Sequence, residues 1–246
     1  MKFSEKSWKC EGLADQAVIE VIFDFKDIEN AAKVADAKVQ FINAHNPGGI
    51  RRSPDIIRNR IIAGKLADAA VTRLLQDRVT KLGLTGQITI TEYDQTRSDG
   101  FEHPDPYDLE LQRTLSNKLE TIEVRSSFCY RLAPPEKIVQ KLSIYGWYTS
   151  ANKPIETPRD WYWQVIYYLR PDDIEQGTGP RVPVFEEELE KGKLIAFIVG
   201  GANKQLLEIH GTNRSDQDGA TYRAISPICA GLDFWQMVEA MFGQIQ

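Results

Sequence analysis

Two short segments constrain this chain more than any other stretch: YDLELQ at 107–112 and ETIEVRSS at 120–127. Both alternate polar and apolar residues with period two, and only a polar turn separates them. As paired strands they set Asp108, Glu110 and Gln112 on one face, with Thr121, Glu123, Arg125 and Ser127 on one face of the neighbour. Tyr107, Leu109, Leu111, Ile122 and Val124 make the apolar side. Adjacent strands lie roughly 4.8 Å apart, so two carboxylates can come close enough to need a counter-charge. A hard divalent cation with oxygen ligands supplies one, and it suits a site that acts on a phosphodiester.

The flanking sequence predicts helices and strands in mixed order. Residues 18–25 read as a strand, and the Ala-rich stretch 28–45 as a helix closed by Asn46, Pro47, Gly48 and Gly49. Ser53, Pro54 and Asp55 supply an N-cap, a first-turn proline and a first-turn acid for a long helix to Lys81, stopped at Gly83. Strands follow at 87–93, 107–112 and 120–127, with a loop over 94–106. A helix is predicted over 134–150, strands over 161–169 and 194–199, and a surface loop over 170–184. The end of the chain reads as a polar turn at 213–219, a strand at 221–225 and a helix at 232–242. This order suits a mixed sheet with helices on its faces.

Composition sets the class. With 42% hydrophobic and 26% charged residues in 246, the chain matches an ordinary globular protein, and no apolar run is long enough to span a membrane. Cys10, Cys129 and Cys229 are few, odd in number and far apart, which predicts reduced thiols, neither disulfide nor structural zinc, and a cytoplasmic location. The N-terminus lacks the apolar core of an export signal. A net charge of −5 counts mildly against nucleic acid, though Arg51, Arg52, Arg58, Arg60, Lys65 and Arg73 crowd one region. That cluster reads equally as a phosphate-contacting surface or a solvated helix face.

The hairpin resembles the PD-(D/E)XK nuclease superfamily, whose pattern is an acid at the start of one strand and an acid-x-lysine on the next. Pro106 and Asp108 match the first part, and Glu123, Val124 and Arg125 the second. Gly64 to Asp68 on the preceding helix matches the family's helix that brings a further acid toward the metal, and the resemblance covers roughly residues 53–170. It implies an α/β, restriction-endonuclease-like mixed central sheet flanked by helices. Residues 1–50 would be an N-terminal extension packed on the core, and 51–246 a nuclease-like domain. It also implies Mg²⁺ or Mn²⁺ held by Asp108 and Glu123, with the Val124 carbonyl completing the site and Asp68 and Glu110 as further ligands or water anchors. DNA would be the substrate, and a homodimer would pair two sites for cleavage of both strands.

Arg125 stands where the family has lysine. Arginine stays protonated at physiological pH, so it can stabilise a phosphate but cannot act as a base. The resemblance therefore implies either a metal-dependent endodeoxyribonuclease of a restriction or defence system, or a nuclease-fold subunit that binds nucleic acid or serves as a scaffold. A third reading is an α/β domain without a nucleic-acid role. Trp161, Tyr162, Trp163, Tyr167 and Tyr168 read as core before base-stacking surface, and His103, near Asp105 and Asp108, reads as a loop residue. Arg51, Arg52 and Arg214 are candidate phosphate contacts in exposed loops.

Overall fold

The computed structural model describes residues 1–46, 49–130, 134–150, 155–169, 182–191, 194–215 and 219–243. In chain order the elements are β1 (Lys2–Trp8), β2 (Gln16–Ile22), α1 (Phe25–Lys38), α2 (Pro54–Lys81), β3 (Ile88–Glu92), α3 (Tyr93–Thr96), β4 (Leu109–Arg113) and β5 (Lys118–Cys129). They continue as α4 (Ile138–Lys141), β6 (Ile144–Thr149), β7 (Trp161–Tyr168), α5 (Val182–Lys191), β8 (Ile195–Asn203), α6 (Lys204–His210), β9 (Thr212–Ser215), β10 (Thr221–Ile225) and α7 (Phe234–Phe242).

Seven strands form one mixed sheet in the order β1-β2-β8-β7-β5-β4-β3, and β6-β10-β9 form a second, smaller one. Strands β3, β4 and β5 make an antiparallel meander, and β7 then lies parallel to β5. A parallel neighbour needs a long crossover, and here the crossover carries α4 and β6. Alternation along the strands divides the apolar residues between two cores. Leu109, Leu111, Ile122, Val124, Trp163, Val165 and Tyr167 face α2 and α7. Tyr162, Ile166, Phe197 and Val199 face the smaller sheet and α6.

Helix α2 begins as its sequence dictates. The Ser53 hydroxyl accepts from the Ile56 N–H at 3.3 Å, Pro54 occupies the first turn, and Gly83 takes the left-handed φ of +70° just beyond the end. Ile62, Leu66, Ala67, Ala70, Val71 and Leu75 are each at most 1% exposed, because α1 covers one side of α2 and the sheet the other. Each large apolar side chain buried there contributes about 1.5–3 kcal/mol.

Several expectations are corrected. The span 134–150 is not one helix: a 3-10 turn (Pro135–Lys137) and the single-turn α4 lead into strand β6. The run Ile144, Tyr145, Gly146, Trp147, Tyr148, Thr149 is aromatic and β-branched, and pairing with β10 overrides the helical spacing read from Ile138, Leu142 and Tyr145. Residues 1–22, expected in an extension, supply β1 and β2 to the main sheet, where β2 pairs with β8. The predicted loop over 170–184 falls outside the described residues except at its end, where α5 begins.

The cysteine reading is also corrected. Cys10 and Cys229, 219 residues apart in sequence, form a disulfide between the β1–β2 connection and the 3-10 turn Ile228–Ala230, while Cys129 is buried. Sequence spacing could not reveal the pair, because its proximity exists only once β2 and β8 are paired. A cross-link closing so long a loop restricts the unfolded chain strongly. Cys10→Ser should lower stability by about 3 kcal/mol and Tm by roughly 6–12 °C. Thermal melts with and without a thiol reductant check this; a variant melting with the oxidised wild type would refute it.

Candidate active site

Asp108 sits one residue before β4, where the β4–β5 ladder ends at Leu109 opposite Ile122. Continuing that register sets Asp108 opposite Glu123, and opposed residues in an antiparallel pair share a face. The Asp108 backbone is held from both sides. Its N–H donates to the Ile122 carbonyl at 3.2 Å, and its carbonyl accepts from the Tyr93 N–H at 2.9 Å. Its side chain takes over the ladder beyond that point, where Oδ2 accepts from the Val124 N–H at 2.8 Å.

Glu123 is flanked by two guanidinium groups. Its Oε1 lies 3.1 Å from Arg125 Nη1 and its Oε2 3.8 Å from Arg159 Nε. Arg125 also donates to the Gly146 carbonyl at 3.2 Å and pairs with Glu156. The smaller sheet thus presses onto the polar face of β5. On its other side Gly146 leaves room for α6, since a Cβ there would meet Leu207 Cδ1 at 2.7 Å and the Arg223 carbonyl at 3.0 Å.

From the other face of the sheet, α2 contributes Lys65 and Asp68 one turn apart. Lys65 Nζ is 2.6 Å from Asp68 Oδ2 and 2.7 Å from Asp94 Oδ2. Asp94 continues into an ion network that ties the 94–107 loop to α1. Lys38 stands 3.4 Å from Asp94 and pairs with Asp105. Arg97 donates to Asp99 at 2.6 Å, to Asp94 at 3.2 Å and to the His103 carbonyl at 2.6 Å, and also pairs with Asp105. Phe101, at the unusual φ of +73°, sets its ring 4.8 Å from the Arg97 guanidinium and 5.6 Å from Lys38 Nζ. These cation–π contacts and the ion pairs hold a backbone conformation that a phenylalanine avoids elsewhere.

The electrostatics of these groups are unbalanced. Burial pushes the Asp68, Glu92, Asp108 and Glu123 carboxyls above the usual range; the negative charge of Asp108 pushes Asp68, Glu92 and Glu123 further up. Lys65 and the Val124 N–H hold Asp108 back without cancelling the effect. Burial opposes the Lys65 ammonium, but Asp68, Asp94 and Asp108 overcome it and keep Lys65 firmly protonated. Asp108 therefore interacts with groups contributed from both faces of the sheet, and burial outweighs the pull of Lys65 and Arg125 on its carboxyl. Perturbed carboxyls gathered at a strand end make this cluster the candidate site.

Asp108, Glu123, Arg125 and Asp68 therefore belong to one charged neighbourhood. Glu110 points along the same face as Asp108 but accepts from the Tyr107 hydroxyl at 2.9 Å. Among the described residues, no group of three or more His, Cys, Asp and Glu side chains is arranged to hold a metal ion. His103 contributes its backbone to the loop, Arg214 binds the hydroxyls of Ser143 and Ser226 at 2.6 Å, and Trp161, Tyr162, Trp163 and Tyr167 are core. Sequence reasoning missed the roles of Lys65, Glu92, Asp94, Arg97, Glu156 and Arg159. Lys65 stood in the basic cluster, and its i,i+3 spacing to Asp68 was the available signal.

No protein-family model matches the chain, and no solved structure matches it significantly. An uncharacterized protein of Methanocaldococcus jannaschii is 25% identical over 242 residues, spanning 91% of this chain and 85% of its own length. The similarity extends along nearly the whole chain. No helix among the described residues is long and apolar enough to cross a membrane.

The raised carboxyls fix the sign of a pH effect. Between the ordinary carboxyl range and their raised folded values, the native protein holds more protons than the unfolded chain, so stability falls as pH rises through that window. Metal-free protein should melt at a lower temperature at pH 8 than at pH 5.5. Asp108→Asn retains an acceptor for the Val124 N–H and removes one buried charge. It should flatten the pH dependence and raise Tm by about 2–4 °C at pH 8, near 1 kcal/mol. Calorimetry of both proteins in EDTA checks this; a destabilised variant at pH 8 would count against a burial cost on the Asp108 charge.

Proposed function

We propose that this protein is a metal-dependent endodeoxyribonuclease that hydrolyses DNA phosphodiesters, with Asp108 and Glu123 as the central pair. The observation that carries the reading is the cross-strand placement of these two carboxylates, both raised by burial, beside two guanidinium groups. The order of α2, the β3–β4–β5 meander, the crossover and the parallel β7 supports a restriction-endonuclease-like core, with the acid at the start of β4 and Glu123 on β5.

The two carboxylates offer oxygen ligands of the kind that magnesium and manganese take; no third acidic side chain joins them among the described residues, so main-chain and water oxygens would have to complete the shell. Asp108 and Glu123 would hold it. The N–H and carbonyl of a strand residue point to the same side, so the Val124 carbonyl faces the gap where β4 begins and would be a third ligand. A metal held there would supply polarisation of a phosphoryl oxygen and a water of lowered pKa. Arg125 and Arg159 bind the phosphate and stabilise the charge that develops on it. Neither Arg125 nor Lys65 releases a proton near neutrality, so an ionised carboxylate would have to take the water's proton. Asp68 would serve in the ionised form that its ion pair with Lys65 favours. Glu110 acts from further out as a water anchor.

A second reading has its own support. Arg125 is engaged by both Glu123 and Glu156, which partly neutralises the proposed ligand, as in a nuclease-fold subunit that binds nucleic acid without cutting it. Supercoiled plasmid incubated with Mg²⁺ or Mn²⁺ and with EDTA separates the two. The expected outcome is nicking that requires metal and falls at least ~100-fold in Glu123→Gln and Asp108→Asn. Cutting that persists in both variants defeats the proposal, and metal-independent binding without any cutting supports the second reading.

A further inference from the structure

Beside Glu123, the smaller sheet presents an aromatic surface that the cleavage reading leaves unused. Tyr148 on β6 and Tyr222 on β10 are register partners, with ring centroids 5.4 Å apart, and Tyr145 lies 5.0 Å from Tyr222. All three are half-buried, unlike the core rings Tyr162, Trp163 and Tyr167 of the main sheet. The Arg125 guanidinium lies 5.7 Å from the Tyr148 ring and 5.8 Å from the Tyr222 ring, and the same guanidinium is 3.1 Å from Glu123. The rings are thus one side chain away from the proposed scissile phosphate.

The guanidinium groups carry a second signal. Arg125 Nε and Arg159 Nε are buried and have no hydrogen-bond acceptor among the described residues; the 3.8 Å from Arg159 Nε to Glu123 exceeds a hydrogen bond. Buried donors are almost always satisfied, so these two N–H groups flanking one carboxylate are places where a water or a ligand oxygen would accept a hydrogen bond. Phosphate oxygens are acceptors that match guanidinium geometry. Guanidinium donors next to half-buried tyrosine rings fit one chemical unit, a phosphate with its nucleobase.

We infer that Tyr148, Tyr222, Arg125 and Arg159 form a nucleotide subsite that stacks an unpaired base, so that the substrate is single-stranded DNA or a frayed end in preference to intact duplex. Within a duplex both faces of a base are covered by its neighbours, and only an extruded or single-stranded base offers a face to a tyrosine ring. This inference rests on the reading of the site as one that acts on DNA phosphodiesters.

The test is fluorescence anisotropy in EDTA, where no metal-dependent cutting occurs. The probes are a labelled oligothymidine, an abasic oligonucleotide of equal length and a duplex of equal length. Wild-type protein should bind the oligothymidine more tightly than the other two. Tyr148→Leu and Tyr222→Leu should weaken that binding about 5- to 100-fold, while Tyr148→Phe and Tyr222→Phe retain it. Equal wild-type affinity for the abasic probe overturns the inference whether or not the leucine variants fold, as does unchanged affinity in folded leucine variants. Metal-dependent duplex nicking without single-strand preference sinks this inference alone. Base-dependent binding without cutting in Mg²⁺ sinks the nuclease reading alone.

Discussion

A single hydrogen bond, from the Val124 N–H to the Asp108 carboxylate at 2.8 Å, stands at the point where one strand of the meander ends and its neighbour runs on. Strand β5 is twelve residues long and β4 only five, so beyond Ile122 the edge of β5 lacks a main-chain partner in β4. A side-chain oxygen meets the exposed amide there, as buried backbone donors require. The same contact fixes the carboxylate against β5 and leaves its second oxygen available. The anchor sets Asp108 beside Glu123, whose own place comes from the pairing of β5 with β4 and β7, and within the field of Lys65 on α2.

The ion network behind Asp108 does a different job. The Arg97 side chain is 3% exposed and contacts Asp94, Asp99 and Asp105, while Lys38 and Lys65 share Asp94. Taking so many charges out of water offsets most of their attraction, so such networks add little net stability compared with an apolar core. What this one provides is position: it joins α1, α2 and the 94–107 loop at shared carboxylates, and that loop leads directly into Asp108. Because Arg97 has three carboxylate partners and Asp94 has three cationic ones, the geometry is specified by several contacts at once.

Much of the local structure was legible in the sequence. The Ser53-Pro54-Asp55 start and Gly83 stop of α2, the alternation of the 107–112 and 120–127 segments, and the apolar residues of β7 and β8 all express short-range rules. Where reading failed, distant pairing had overridden local preference. Strand β6 looked helical until β10 lay beside it, and β1, with mostly exposed residues, shows as a strand only through its pairing with β2. The Cys10–Cys229 disulfide is the extreme case, since its two ends meet through a sheet whose order is unrelated to chain order.

The candidate site divides in the same way. By itself the sequence determined which carboxylates can share a face, because period two in a strand needs no knowledge of the rest of the molecule; Asp108, Glu110, Glu123 and Arg125 come from that rule. Tertiary structure alone decided which counter-charges meet them. Lys65 turns inward because α2 lies across the sheet, Arg159 and Glu156 arrive with the approach to β7, and Tyr148 and Tyr222 come from a second sheet folded over the first. Electrostatic partners are chosen by distance in space, and in this chain the decisive distances span elements far apart in sequence.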